Sequence, residues 1–489
     1  MAMISSCVAW RIACLAKTMP HARASRSVML GGLMSDRAGG GGSTRSVEVA
    51  PSSPPGPQLP AARKPSGFSH LLLHLHPRMV PGDSLALPRT FGLGGVALVL
   101  FILLAVTGSL LLFVYEPSAG RAYASIVSLE DQVPFGSFVR SAHHWAGNLM
   151  LVVVFAHLLR VFYTGAFLAA RRNNWILGLG MLVLVMASNF TGYLLPWDQL
   201  AYWAVTIGTG MLGYVPMMGD ALVGLARGGD EVGPRTLSSF FVVHVALLPI
   251  LLFIGASYHF WLVRKVGGVM VPRTPDPSET RPALVPVQPD LILREGVAAL
   301  VALALVAAIA AVFAAPLGGQ ANPGLSPNPA KAPWYFMGFQ ELLIHLHPAV
   351  AVLALPLAGV VFLAGLPFLH YDAAPSGHWF HSPRGRRSVV LAALAALVLV
   401  PAAVLLDEFL RRAAQHGADP PAAVAAGLLP LAVCAALVGA LVLSLKRGLA
   451  LTRYEAMQSL FTFLTVALLV LTIIGVVFRG PEMRLVWPT

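Results

Sequence analysis

Two apolar stretches of membrane-spanning length constrain this chain more than any other feature: His143–Arg160, HHWAGNLMLVVVFAHLLR, and His244–Lys265, HVALLPILLFIGASYHFWLVRK. Each carries a histidine near its start and another about four helical turns later, His143 and His157 in the first, His244 and His259 in the second. The spacings are 14 and 15 residues. In a helix they place the two imidazoles of each stretch on nearly the same face, roughly 21 to 22 Å apart. A titratable side chain in such a run is costly and marks function. One imidazole alone could be a polar residue hydrogen-bonded inside a bundle. Two matched pairs on neighbouring helices form two clamps stacked across a bilayer.

Neutral imidazole is a good axial ligand for haem iron, and a second pattern favours haem. The apolar runs before and between the histidine stretches, FGLGGVALVLFILLAVTGS and ILGLGMLVLVMASNFTG, carry glycines at a spacing of 14, Gly94 with Gly108 and Gly178 with Gly192. A flat macrocycle edge-on to a helix needs positions without a side chain. Glycine also serves ordinary packing between membrane helices; its match to the histidine period is what counts here.

The remaining sequence sets the fold class: all-α, a polytopic transmembrane helical bundle with a four-helix dihaem core in its N-terminal half. Of 489 residues, 57% are hydrophobic and 11% charged, with no strand-type alternation. Nine spans are expected, near 91–115, 142–163, 175–195, 240–263, 296–315, 346–368, 388–406, 424–445 and 456–478. The net charge of +12 raises the question of nucleic acid. The basic residues sit in the N-terminal tail and in the loops after spans two, four, six and eight, however, and that is a topology signal and not a nucleic-acid surface. It puts the N-terminus in the cytoplasm and, with nine spans, the C-terminus outside. Cys7, Cys14 and Cys434 form no CxxCH and no metal-spaced pair, so covalent c-type haem is not expected. Residues 1–66 read as a disordered basic tail, either a presequence or the product of a start codon placed too early.

Arg140-Ser-Ala-His-His-Trp, then LLPWDQLAYWAVTIGTG at 194–210, then the second histidine pair carry a resemblance to cytochrome b, the dihaem core of bc-type quinol oxidoreductases. Over the first four spans it is most similar to the chloroplast-type form, which shares the spacing of 15. Residues from about 290 to 370 resemble the separate smaller subunit of those complexes, fused here. Three regions follow: a core at 67–270, a quinol-site region at 271–370 and C-terminal helices at 371–489.

The resemblance implies two non-covalent, bis-histidine b haems, His143 and His244 holding the outer one and His157 and His259 the one near the cytoplasm. Arg140 and Arg160 match arginines that pair with haem propionates. Tyr202 and Ala204 lie in a short amphipathic helix that walls the outer quinol site, with Ala204 narrowing the pocket where many members have glycine. Chloroplast-type members attach a third haem through a cysteine early in span one; Gly92 occupies that neighbourhood, so only two are expected.

One departure is informative. The family signature Pro-Glu-Trp-Tyr, whose glutamate takes a proton from quinol, reads Ala332-Pro333-Trp334-Tyr335. Glu341, seven residues after Trp334, is the nearest replacement, or else a carboxylate at the membrane rim. Replacements of this motif occur in members that use menaquinol, the expected substrate. On the cytoplasmic side, Arg294-Glu295 aligns with a Lys-Asp pair of the quinone-reducing site; as a bare sequence feature it is a pre-helix charge pair. His345 and His347 have no assigned role, and the C-terminal third, with spans seven to nine, has no titratable cluster inside a span and is read as serving packing and subunit contact.

The implied function is the cytochrome b subunit of a bacterial inner-membrane quinol:cytochrome c reductase. Quinol is oxidised near Trp334 and Tyr335, one electron leaves through a separate Rieske-type iron–sulfur protein toward a c-type cytochrome, and the other crosses to the inner quinone site. The process is coupled to proton translocation and runs in a dimeric complex exchanging with the quinone pool in lipid. A dihaem anchor passing electrons from a dehydrogenase or hydrogenase to quinone needs neither the long 194–240 connection nor the WYF segment. A transporter with midplane polar residues leaves four paired histidines unexplained.

Overall fold

The structure, a computed structural model, describes residues 78–270, 283–372, 377–414 and 428–487, all within one compact unit, Pro65–Thr489. The N-terminal tail expected to be disordered lies outside the described residues. Among those described, nine helices are long and apolar enough to cross a membrane, in agreement with the expected number. The principal helices are α1 (Leu93–Leu111), α2 (Ala122–Gln132), α3 (Gly136–Tyr163), α4 (Arg172–Leu194), α5 (Gln199–Gly210), α6 (Gly219–Arg227), α7 (Pro234–Lys265), α8 (Ile292–Val312), α9 (Met337–His345), α10 (Leu355–Gly365), α11 (Pro383–Ala414), α12 (Leu428–Gly448) and α13 (Arg453–Ile473).

Several spans run further than hydropathy suggests, because helix ends in the interfacial region can be polar. Span two starts at Gly136 and not 142. Its start is fixed by a turn: Phe135 adopts φ 60°, and a Cβ on Gly136 would fall 1.9 Å from Leu129 O. A small antiparallel ribbon, Met79–Pro81 against Leu284–Pro286, is an exception to the all-helix expectation; it ties the entry to span one to the entry to span five.

In lipid, apolar burial does not drive helices together, so close backbone approach and hydrogen bonds must. Both are present. The core built on α1, α3, α4 and α7, with α8 laid against α1 and α3, buries Ala142, Ala146, Leu100, Met150 and Leu151 at its centre. The α11–α13 pair uses Ser388, Ala392 and Ala396 opposite Ser459 and Phe463, with Ser459 Oγ donating to Ser388 Oγ at 2.8 Å.

Helix α13 also joins the two halves of the molecule. At one end Tyr454 OH donates to Phe162 O at 2.8 Å and Gln458 Nε2 to Tyr163 O at 3.1 Å, gripping the end of α3. Towards the other end it packs on α9, where a Cβ on Gly338 would lie 2.7 Å from Leu468 and from Thr472.

Candidate functional site

Each histidine stretch is a straight consequence of its helix. His143 and His157 lie on α3, His244 and His259 on α7. The helices bring His143 to His244 and His157 to His259, with ring centroids 6.3 Å apart in both pairs and interplanar angles of 74° and 68°. An imidazole nitrogen binds a metal at about 2.0 Å and lies about 1.1 Å from its ring centroid, so two rings flanking one iron should stand about 6.2 Å apart. The observed spacing fits. Among the described residues no group of three or more His, Cys, Asp or Glu side chains converges on a metal site. Two opposed donors suit an ion whose other ligands come from a macrocycle.

The glycines complete the fit. Each has one of the four histidines as its nearest neighbour: a Cβ would lie 3.8 Å from His157 Cε1 at Gly94, 3.2 Å from His143 Cε1 at Gly108, 3.7 Å from His259 Cε1 at Gly178 and 2.5 Å from His244 Cε1 at Gly192. Helix α1 therefore opposes the histidines of α3, and α4 those of α7.

Hydrogen bonds set the tautomers of the first pair. His244 Nδ1 donates to Ser188 O at 2.9 Å. Thr107 Oγ1 spends its proton on Leu103 O, so it accepts from His143 Nδ1, 2.9 Å away. Both rings keep Nε2 free as the ligating atom. In the second pair His259 Nδ1 is buried without a partner. His244 sits in a π-helical turn, Val243–Leu247, that ends two residues before Pro249. Proline cannot donate to the carbonyl four residues back, and a widened turn at a functional residue is a frequent accommodation. The sequence contained that signal in Pro249.

The two arginines are placed differently. Arg160 is buried and donates to Arg89 O at 3.0 Å. No carboxylate pairs with it among the described residues, so an anionic group fits beside it. Arg140 is buried against Glu130, in a short ion pair, and donates to Ala315 O and Pro316 O at 2.9 and 2.7 Å. Glu130 was missed by sequence reasoning because helix α2 has no spanning run to draw attention to it.

At the His143 end, α5 and the connection after α8 are stitched together. Asp198 caps α5, accepting from Ala201 N at 2.8 Å, and also accepts from Gly318 N at 3.0 Å. Tyr202 is buried, its hydroxyl donating to Val232 O at 3.2 Å, and Ala204 is buried beside it. The aromatic turn Trp334–Phe336 reaches the same region: Phe336 meets Phe190 edge-on at 5.8 Å, and Gly208 of α5 lies against Phe190. Trp334 Nε1 donates to Asn148 Oδ1 at 2.6 Å. Tyr335 packs on the four-helix core with a buried hydroxyl that has no protein partner, and burial raises its pKa. An unpaired buried hydroxyl is costly, which suits a ligand-facing group.

At the other end, Arg294 Nη1 donates to Leu85 O at 2.8 Å, and Glu295 lies against Gly95. The next residue back, Gly94, faces His157, so Arg294 and Glu295 belong to the end that carries the second pair. Glu341 is fully buried, and Arg479 holds it through Nε at 3.0 Å and Nη2 at 2.5 Å. Burial pushes the Glu341 carboxyl up, but His345 and Arg479 outweigh it and the pKa lies below the ordinary value.

The reading that no titratable cluster lies inside spans seven to nine leaves out one that forms just beyond the ends of spans seven and nine. Asp407, Glu408 and Arg411 at the end of α11, and Arg479 just past α13, meet Glu341 and His345 in one group. Charges at the polar end of a span look like a solvated boundary in sequence; here α9, α11 and the segment after α13 bring them together, with Glu341 and Arg479 fully buried.

A family model described as Cytochrome b/b6/petB matches residues 82–267. The cytochrome b6 of Heliomicrobium gestii is 41% identical over 201 residues, 41% of this chain and 93% of that protein. This chain belongs to the cytochrome b/b6 family. The cytochrome b6 of Prochlorococcus marinus (strain NATL1A) is likewise 41% identical, over 175 residues, 36% of this chain and 80% of that one. A solved structure titled Hyperthermophilic respiratory Complex III matches with a TM-score of 0.59 at 23% identity, covering 83% of this chain and 96% of that one, and supports the fold. As a family member the chain is an integral membrane protein and the core subunit of a quinol-oxidising, bc-type electron-transport complex. Members normally carry b haems, and such a complex implies partner subunits.

Proposed function

We propose that this chain is the cytochrome b of a menaquinol:cytochrome c reductase of a bacterial inner membrane, with the smaller quinol-site subunit fused into it. The observation that carries the reading is the pairing of His143 with His244 and of His157 with His259 at 6.3 Å, each ring faced by its own glycine. His143 and His244 would hold the outer b haem, and His157 and His259 the inner one, with Arg160 beside a propionate. When bound, the two haems supply a one-electron path between the faces of the membrane.

The protein's own residues do the rest. Tyr335 offers a free buried hydroxyl to quinol, and Trp334, fixed by Asn148, holds the turn in place. With the motif glutamate missing, Glu341, seven residues after Trp334 in the chain, would take a departing proton. Arg294 and Glu295 bring a cation and an acid to the inner quinone site, where protons are taken up. Basic loops keep the N-terminus in the cytoplasm and put the C-terminus outside. One electron of each quinol leaves through a Rieske-type iron–sulfur partner toward a c-type cytochrome, the complex is dimeric, and the split path translocates protons.

Purification of the complex decides this. About two non-covalent protoporphyrin haems per chain, with antimycin-type or other quinone-site inhibitors blocking menaquinol:cytochrome c activity, is the expected result. Two haems without that activity would make the chain an electron-passing anchor, and no haem would sink both.

A further inference from the structure

The cluster at the far end of α9 does more than hold helices together. His345 lies between two carboxylates: its Nε2 is 3.1 Å from Glu341 Oε1 and its Nδ1 is 2.6 Å from Asp407 Oδ2. Asp407 in turn accepts from Arg411 Nε at 2.6 Å. Side-chain exposure rises along this row, 0% at Glu341, 11% at His345, 19% at Asp407 and 47% at Arg411. The row leads from a dry interior to the surface. It starts on the helix that continues directly from the aromatic turn Trp334–Phe336.

The direct neighbours of His345 set its resting state. The groups facing His345 are Glu341 from its own helix, Asp407, Glu408 and Arg411 from α11, and Arg479 from the segment after α13. Two of these carboxylates, Glu341 and Asp407, touch the two ring nitrogens directly, and a proton on His345 satisfies both. Arg479 Nη2, 3.4 Å from Nε2, opposes that proton, but two carboxylates in contact outweigh one guanidinium at that distance. Burial alone would lower the imidazole pKa; the hydrogen bonds and charges of Asp407 and Glu341 reverse this and raise it. Glu482 and Arg484 form a separate exposed pair.

We propose that Glu341, His345 and Asp407 form a proton relay that carries protons released by quinol oxidation to the outer surface. It rests on the proposed function, which supplies the quinol. Oxidation of one quinol gives quinone, two electrons and two protons, and the electrons leave by the routes already described. The Nδ1 proton of the imidazolium passes to Asp407 and on to water, and the neutral ring then turns its bare nitrogen to Glu341, takes the proton that has arrived there, and turns back. One proton enters, one leaves, and the cluster's charge is unchanged. A carboxylate within hydrogen-bond reach of each nitrogen gives the ring a proton source on one side and an acceptor on the other. His345 and Asp407 act through Glu341 and touch no substrate, so they are relay residues and not catalytic ones.

The test uses the assembled complex, with haem content measured optically in every sample. His345→Gln keeps hydrogen-bonding atoms but cannot shuttle a proton; Asp407→Asn breaks the next step; Glu482→Gln is the control. We expect His345→Gln and Asp407→Asn to slow menaquinol:cytochrome c turnover by about tenfold or more, the range of a lost proton-transfer group, to abolish one limb of the pH–rate profile, and to keep haem content intact. Unchanged rates and pH profile in both variants, beside an active wild-type complex, would overturn the relay alone. An inactive wild-type complex would overturn the functional reading and the relay with it. Should His345→Gln lose haem, Asp407→Asn carries the test, and wild-type turnover without a solvent deuterium effect on the quinol-oxidation step would itself refute the relay.

Discussion

The four-helix core and the Glu341–Arg479 cluster both bury polar side chains, and they do it by opposite means. In the core the polar groups are neutral imidazoles spaced along two helices, each opposed by a glycine on a third or fourth. In the cluster they are full charges gathered from α9, α11 and the segment after α13. The core tolerates its histidines because space and backbone carbonyls are arranged for them, as Ser188 O is for His244. The cluster persists because cations and anions neutralise one another. A defect should therefore be local in the core and propagate in the cluster.

The largest effect comes from removing one donor. His244→Leu should eliminate one low-spin b centre, leave the His157–His259 centre, and reduce quinol-driven turnover to background; redox-titrated optical spectra of the variant check this. Loss of both signals would mean that the core is not two independent clamps. The glycines sharpen the same point. Gly192→Ala puts a methyl group where a Cβ would sit 2.5 Å from His244 Cε1, whereas Gly94→Ala meets His157 Cε1 at an ordinary 3.8 Å. The first substitution should deplete the His143–His244 centre, and the second should leave both centres near wild type. Equal loss in the two variants would show that the glycines serve general packing and not the imidazoles.

That contrast also explains what the sequence revealed. The histidine and glycine periods are intrahelical, so 3.6-residue geometry carried them from sequence to structure, and the nine spans followed from hydropathy. Arg479 lies 138 residues from Glu341 and 134 from His345. No local period links such partners, and charges at helix ends resemble topology signals. Glu130 against Arg140 and Asp198 against Gly318 escaped for the same reason: their partners are set by how connections fold back over the bundle. Trp334 and Tyr335 were legible from motif, but the orphaned Tyr335 hydroxyl and the Trp334–Asn148 bond needed coordinates. The π turn at His244 was half-legible, since Pro249 foretells a disturbed helix without saying how it relaxes.

Within the cluster, burial should grade the damage. Arg479 and Glu341 have side chains 1% and 0% exposed, so Arg479→Leu strands a buried carboxylate and should cost about 3–5 kcal/mol. Arg411 is 47% exposed, and Arg411→Ala should cost about 1 kcal/mol or less. Thermal unfolding of the detergent-solubilised complex, followed by helix signal and haem release, separates the two. Similar losses would place Arg411 in the interior network; a negligible loss for Arg479→Leu would mean that the cluster is dispensable for folding.

The smallest effect is the most specific, because it tests the charge state of one ring. Burial of His345 disfavours its proton, yet Asp407 and Glu341 raise its pKa above the ordinary 6.5. A raised folded-state value contributes stability that is fully present below about pH 6.5 and is lost as pH climbs through the folded value. Glu341 runs the other way: its lowered value gives stability present above the ordinary 4.5 and lost only in more acid solution. Above pH 6.5 the Glu341 contribution is therefore constant and His345 alone sets the slope. The wild-type midpoint of thermal unfolding should fall between about pH 6 and about pH 9 relative to that of His345→Gln, which has no proton to lose there. Parallel curves for the two proteins would mean that His345 is neutral in the folded protein.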